Sequence, residues 1–180
     1  MDKAIALLRG VNVGGNNMIP MPRLKEAFRK AGYSDAETYI NSGNVIFSSG
    51  EEAAALQAAC QGLIADAFGL DIAVAIVRGQ ALAEAIARAP AWWGTQSEAK
   101  HNAIFVIQPA APEAVCASVG EIKPEYEQIA VCGSVIFWTA PLQTFSKTRW
   151  SKVVGTQAYQ HITIRNANTA KKLAELATME

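Results

Sequence analysis

Residues 37–47, Glu-Thr-Tyr-Ile-Asn-Ser-Gly-Asn-Val-Ile-Phe, decide how the rest of the chain is organised. Glu37–Ile40 and Val45–Phe47 are short runs rich in β-branched and aromatic residues, as strands are. Asn41-Ser42-Gly43-Asn44 between them carries hairpin-turn chemistry, because glycine and asparagine tolerate the left-handed backbone that tight turns need. Working outward, one helix precedes this pair and another follows it. Pro20 and Pro22 mark the first turn of the earlier helix, where a missing N–H costs nothing. Leu24, Ala27, Phe28 and Ala31 form its apolar stripe at i, i+3, i+4 and i+7, and Gly32 stops it. The later helix opens at Ser49 or Gly50, turns Leu56, Cys60, Leu63, Ala67 and Phe68 inward, and ends at Gly69. Outside both, Ala4–Leu8 is a continuous apolar run suited to a central strand, and Ile72–Val77 is a fourth strand. The order is β-α-β-β-α-β, the split βαβ or ferredoxin-like pattern.

The same order is expected a second time. A helix near Gln80–Ala89 and a Pro90-Ala-Trp-Trp-Gly94 turn lead to a strand at Ala103–Ile107 and a short helix at Pro112–Val119. Glu125–Val131 and Val135–Thr139 are a strand pair turning at Cys132-Gly133-Ser134. A helix over Thr144–Val154, a strand over His161–Arg165 and a closing helix over Asn166–Ala177 complete the copy. The expected fold is therefore α+β: two tandem ferredoxin-like units, residues 1–79 and 101–180, with a helical linker over 80–100 and a closing C-terminal helix. Trp92 and Trp93 in the linker are expected to bury as a wedge between the units.

The bulk numbers suit a globular chain. Of 180 residues, 51% are hydrophobic and 18% charged, too apolar for disorder and too interrupted for a membrane span. The apolar run Ala4–Leu8 is too short for a signal peptide or a transmembrane helix, so a cytoplasmic protein with no membrane partner is expected. Three cysteines, Cys60, Cys116 and Cys132, form no CxxC pair and read as reduced thiols. A net charge of zero and a pI near 6.7 disfavour a general nucleic-acid coat or membrane-surface binder. The average hides an asymmetry. Residues 31–77 hold six acidic side chains and no Lys or Arg, whereas residues 128–174 hold six basic ones and no Asp or Glu. Docking of the halves, plain solvation and an anionic partner all fit that pattern.

The most unusual stretch is Arg9-Gly10-Val11-Asn12-Val13-Gly14-Gly15-Asn16-Asn17. Such a loop can curl its N–H groups towards one point, and it runs into a helix N-terminus that favours an anion. It is neither a Walker A loop nor GxGxxG. In a split βαβ unit the first two strands run parallel, which brings this loop beside the Asn41–Asn44 turn. Arg9, Asn12, Gly14 and Gly15 from one side and Asn41, Ser42, Gly43 and Asn44 from the other are the candidate ligand-binding residues. A small anionic metabolite is the expected occupant. A tight loop needing special dihedrals would use the same residues. Arg9 and Asn12 are expected to serve a ligand rather than the fold. Ser42 lacks a GxSxG context and a nearby His, so no nucleophile is assigned and no catalytic residue is named. His101 and His161 stand without ligand spacing, so neither a metal nor a cofactor is expected. Glu51 and Glu52 suit the start of a helix.

In the second half Lys147, Arg149 and Lys152 flank Trp150 and could clamp phosphates or simply form a solvated face. RNA-recognition modules share the strand order and need outward aromatics, which only Phe105, Phe137 and Trp138 could supply. A protein partner is the remaining alternative.

Five stretches, RGVNVGGNNMIPM, TYINSGNVIFSS, FGLDIAVAIVRG, FSKTRWSK and RNANTAKKL, resemble domain-of-unknown-function family 1697 over essentially the whole chain. The resemblance implies two ferredoxin-like subdomains and supplies no reaction. Family members carry Trp where this chain has Ala167, while Arg165, Asn166, Asn168 and Thr169 match. With Lys147 and Arg149 these form a second candidate polar cluster. Asn166 can equally act as a helix N-cap.

Overall fold

The computed structural model describes residues 2–179. In the first half β1 (Lys3–Leu8), α1 (Met21–Lys30), β2 (Glu37–Thr38), β3 (Asn44–Ser48), α2 (Ala53–Phe68) and β4 (Val74–Arg78) follow one another. Their strands form an antiparallel sheet in the order β2-β3-β1-β4. After α3 (Gly79–Ala87) come β5 (Ala99–Val106), α4 (Pro112–Val119), β6 (Gln128–Cys132), β7 (Val135–Pro141), β8 (Ile162–Asn166) and α5 (Ala167–Thr178). The second sheet has the matching order β6-β7-β5-β8. The chain divides into residues 1–83 with 173–180, and residues 84–172.

β1 is central because all of Ala4–Leu8 is buried, as a strand covered on both faces requires. Ala4, Ala6, Leu8, Val45, Phe47 and Val74 point to one face and pack with Leu24 and Phe28 of α1 and Leu56, Cys60 and Ile64 of α2. α2 buries the i, i+4, i+8 row Leu56, Cys60 and Ile64, whereas Ala67 is exposed and Leu63 and Phe68 are half-buried. The helix begins at Ala53 rather than at Ser49 or Gly50. Arg78 holds the preceding turn in place by donating to the Ser49 and Glu51 carbonyls. Gly69, at φ +67°, ends α2 in the left-handed conformation.

The hairpin over 37–47 is shorter than its composition suggests. β2 stops at Thr38, and Tyr39 N–H bonds Asn44 O at 3.0 Å to close a longer turn. Ile40 takes φ +49°, where a β-branched residue cannot continue a strand. The second hairpin is the tight one, with Cys132 opposite Val135 across Gly133 and Ser134.

The expected helix over Thr144–Val154 is instead a run of 3₁₀ turns, Leu142–Lys147, Trp150–Gly155 and Gln157–His161. Thr148 Oγ1 donates to Phe145 O at 2.7 Å and accepts from Ser151 N at 3.1 Å. Those local bonds compete with the α-helical ladder. Glu127 captures two further amides: its carboxylate accepts from Arg149 N at 2.6 Å and Trp150 N at 3.2 Å. Beneath this run Ile104, Val106, Ile136, Trp138, Trp150 and Val153 form the second core.

Candidate functional site

The Arg9–Asn17 loop is a miniature hairpin. Asn12 N–H bonds Asn17 O at 3.2 Å, Asn16 N–H bonds Val13 O at 3.0 Å, and Val13 bridges Asn16. Gly14 and Gly15 at its tip have φ of +58° and +77°, the signs that a two-residue type I′ turn demands. Its backbone therefore pairs with itself more than it converges on a point. Val11 and Ile19 anchor the base in the core, while Val13 and Met18 are more than 60% exposed.

The two loops do meet. Leu8 N–H bonds Gly43 O at 2.8 Å, and the Asn12 side chain ties the loops together. Its Nδ2 donates to Asn41 O at 2.8 Å and to Ile19 O at 3.0 Å, and its Oδ1 accepts from Ile19 N at 2.7 Å. Asn12 thus serves the fold. Asn44 is fully buried and donates to Tyr39 O and Ser42 Oγ, both at 2.9 Å. Gly43 has φ +79°, and a Cβ there would stand 2.5 Å from Val11 Cγ2 and 2.9 Å from Leu8 Cβ. It is a close-approach glycine. Arg9 and Ser42 are half-buried, and Gly14, Gly15 and Asn41 are exposed. These five are the candidate residues of the edge that solvent reaches without a loop-fastening role such as that of Asn12.

Burial divides the residues of the second candidate cluster. Lys147, Arg149, Asn166 and Asn168 are exposed, whereas Arg165 and Thr169 are buried. Burial lowers the Arg165 guanidinium to a pKa of about 10. Its Nη1 donates to Thr163 Oγ1 at 2.8 Å and Ile164 O at 2.9 Å. Asn166 Oδ1 accepts from Thr169 N at 2.8 Å, which is N-capping of α5. Lys147 lies 5.4 Å from the Tyr126 ring. Lys147, Arg149 and Lys152 have no carboxylate partner among the described residues. The aromatics proposed for base stacking are core: Phe105, Phe137 and Trp138 are all at most 3% exposed. Trp93 is also buried, edge-on to Phe137, with Nε1 donating to Asn102 O at 2.8 Å.

Sequence reasoning passed over Glu127, which is 2% exposed and also accepts from Lys123 N and Trp138 Nε1, both at 3.1 Å. Its four donors are all neutral N–H groups. It also passed over the cavities. One of about 460 Å³ lies between α1 and α2, beside Arg23, Glu26, Lys30 and Asp66. An apolar one of about 370 Å³ lies by Pro109, Val115 and Ala158. A polar one, also about 370 Å³, is lined by Lys100, His101, Asn102, Asn166 and Asn168. A hint was available there, since Lys100-His101-Asn102 makes a polar start to an otherwise apolar strand.

No helix among the described residues is long and apolar enough to cross a membrane. The chain is similar in structure to the conserved bacterial protein SP0830 from Streptococcus pneumoniae, with a TM-score of 0.87, 28% identity and 98% of each chain covered. No curated protein matches it. The model of the family described as "Protein of unknown function (DUF1697)" matches residues 1–137, and the chain belongs to that family.

Proposed function

We propose that this protein binds a small anionic ligand at the edge of its first half where the Arg9–Asn17 and Asn41–Asn44 loops meet. The observation that carries the reading is the Asn12 side chain, whose bonds to Asn41 and Ile19 hold both loops in one arrangement before any ligand arrives. Such preorganisation lowers the ordering cost of binding. Arg9, Asn41 and Ser42 supply a cation, an amide and a hydroxyl around exposed glycine N–H groups, and α1 begins just beyond the loop with its N-terminus favouring negative charge. We read each half as a ferredoxin-like unit, which the order β2-β3-β1-β4 and its repeat support. Three unbridged cysteines favour a reducing, cytoplasmic setting.

The test is a thermal-shift screen of nucleotides and phosphorylated metabolites on the wild type and on Arg9→Ala. A stabilising compound whose effect Arg9→Ala abolishes supports the site. A screen with no stabilising compound, or one whose shift survives in the variant, rejects it.

The exposed cations Lys147, Arg149 and Lys152 favour a second reading, an RNA partner held through its phosphates. With Phe105, Phe137 and Trp138 buried, base stacking has no platform. That reading requires log K to fall with log salt in a filter-binding titration, and salt-independent or absent binding dismisses it.

A further inference from the structure

The polar cavity of the second half sits where a sheet edge is left open. β5 pairs with β7 along its whole length, from Ala99 opposite Pro141 to Phe105 opposite Val135. It pairs with β8 only from Asn102 onward. There β8 ends at Asn166 and the chain turns into α5. The directions of the backbone groups follow from two bonds that frame the sheet. Leu142 N–H bonds Glu98 O, so even-numbered residues of β5 address β7, and Ile107 N–H bonds His161 O, so odd-numbered residues address β8. The N–H of His101 and both backbone groups of Ala99 therefore look into the cavity, with no strand beside them.

The remaining walls supply polar groups of matching kind. Asn102 and Asn168 line the space, and their side-chain amides make no hydrogen bond among the described residues. Lys171 places Nζ 2.7 Å from where a Cβ on Gly94 would stand and 5.4 Å from the Trp93 ring centre. Its ammonium thus stands beside Gly94, which with Ala167 lines the cavity, and has no carboxylate partner among the described residues. Lys100 of β5, which lines the cavity and whose Nζ sits 4.2 Å over the Phe145 ring, is a second cation. Open strand groups recognise an extended peptide backbone, free amides recognise its remaining N–H and C=O groups, and an ammonium recognises a carboxylate. A volume of about 370 Å³ falls at the small end of ligand sites, so only a few residues fit.

We propose that this notch binds the last residues of an extended peptide, pairing its backbone with Ala99 and His101 and its free C-terminal carboxylate with Lys171. The site is independent of the loop edge of the first half.

The experiment is a titration of the full isotope-labelled chain, followed by two-dimensional NMR, with Ala-Ala-Ala, its C-terminal amide, and Ala-sarcosine-Ala, which lacks one pairing N–H. The expected result is saturable shifts confined to the amides of Gly94, Ala99, His101 and Asn168 with the free tripeptide. Binding of the amidated and sarcosine peptides should be at least tenfold weaker. Lys171→Gln should make free and amidated peptides equal, and Ala99→Pro, which removes an outward N–H from the edge, should weaken both. An unchanged spectrum, shifts elsewhere, equal binding of free and amidated peptide to the wild type, or the same shifts with acetate alone would overturn the proposal. If Ala99→Pro loses the dispersed spectrum of a folded chain, the sarcosine peptide decides the same point on the wild type.

Discussion

Gly43 shows how much one residue can carry. Its positive φ and the closeness of Val11 and Leu8 leave no room for a methyl group. Gly43→Ala should lose about 2–4 kcal/mol in urea unfolding, from overpacking added to left-handed strain. The glycine was legible in the sequence as a turn residue, but the packing reason was not, because its neighbours lie at positions 8 and 11. Asp35 carries a different burden. Burial raises the pKa of its carboxyl, but bonds from Lys3 Nζ at 2.6 Å and from Ser48 Oγ at 2.6 Å and N at 3.0 Å outweigh this and hold it well below the usual range. Folding lowers this pKa, so the unfolded chain takes the proton more readily. The stabilisation is complete above about pH 4, where an unfolded Asp ionises, and is lost as pH falls through the folded value. Asp35→Asn should therefore be less stable than the wild type at pH 7, with the gap closing below about pH 4 in pH-stepped denaturation.

Among the elements, strands β1, β3, β4 and β7 were legible because each is an apolar run of the right length between turn signals, whereas β5 was legible only from Ala103, after its polar start. The segment 142–161 was not. Its composition permits a helix, and besides the local bonds of Thr148 it is Glu127, fifteen or more residues earlier in the chain, that decides against one by taking the amides of Arg149 and Trp150. A local pattern cannot report such a partner. Glu127→Gln sets an NH₂ group against N–H donors in a buried site and should cost about 2–3 kcal/mol, the worth of hydrogen bonds to a charged group. Hydrogen exchange should locate the damage: the amides of Arg149 and Trp150 should lose protection in the variant, while those of Cys60 and Ile64 in α2 keep theirs. The candidate loop edge was legible for a related reason. Strand direction alone brings the two loops together, but which of their polar atoms are already engaged depends on side-chain geometry. That is why the fastening roles of Asn12 and Asn44 were not visible in the sequence.

Taken whole, the molecule spreads its charge unevenly. The acidic residues Asp35 and Glu37 are met within their own half, by Lys3 at 2.6 Å and by Lys25 and Arg29 at 2.7 and 2.6 Å. Lys147, Arg149 and Lys152 stand in solvent. With zero net charge near pH 7 and a pI of about 6.7, the chain should be least soluble close to that pH. Polyethylene-glycol precipitation at pH 5.5, 6.7 and 8 should show a minimum at the middle value.

The small hairpin at Val13–Asn16 has a practical consequence. Its tip is two solvent-facing glycines, and everything that fixes it lies below, in Asn12 and the buried pair Val11 and Ile19. Exposed loop tips of this kind accept inserted sequence because no buried contact runs through them. A short peptide tag or a fluorophore-bearing segment placed between Gly14 and Gly15 would leave the fold standing while breaking up the glycine N–H groups of the edge where a ligand is sought.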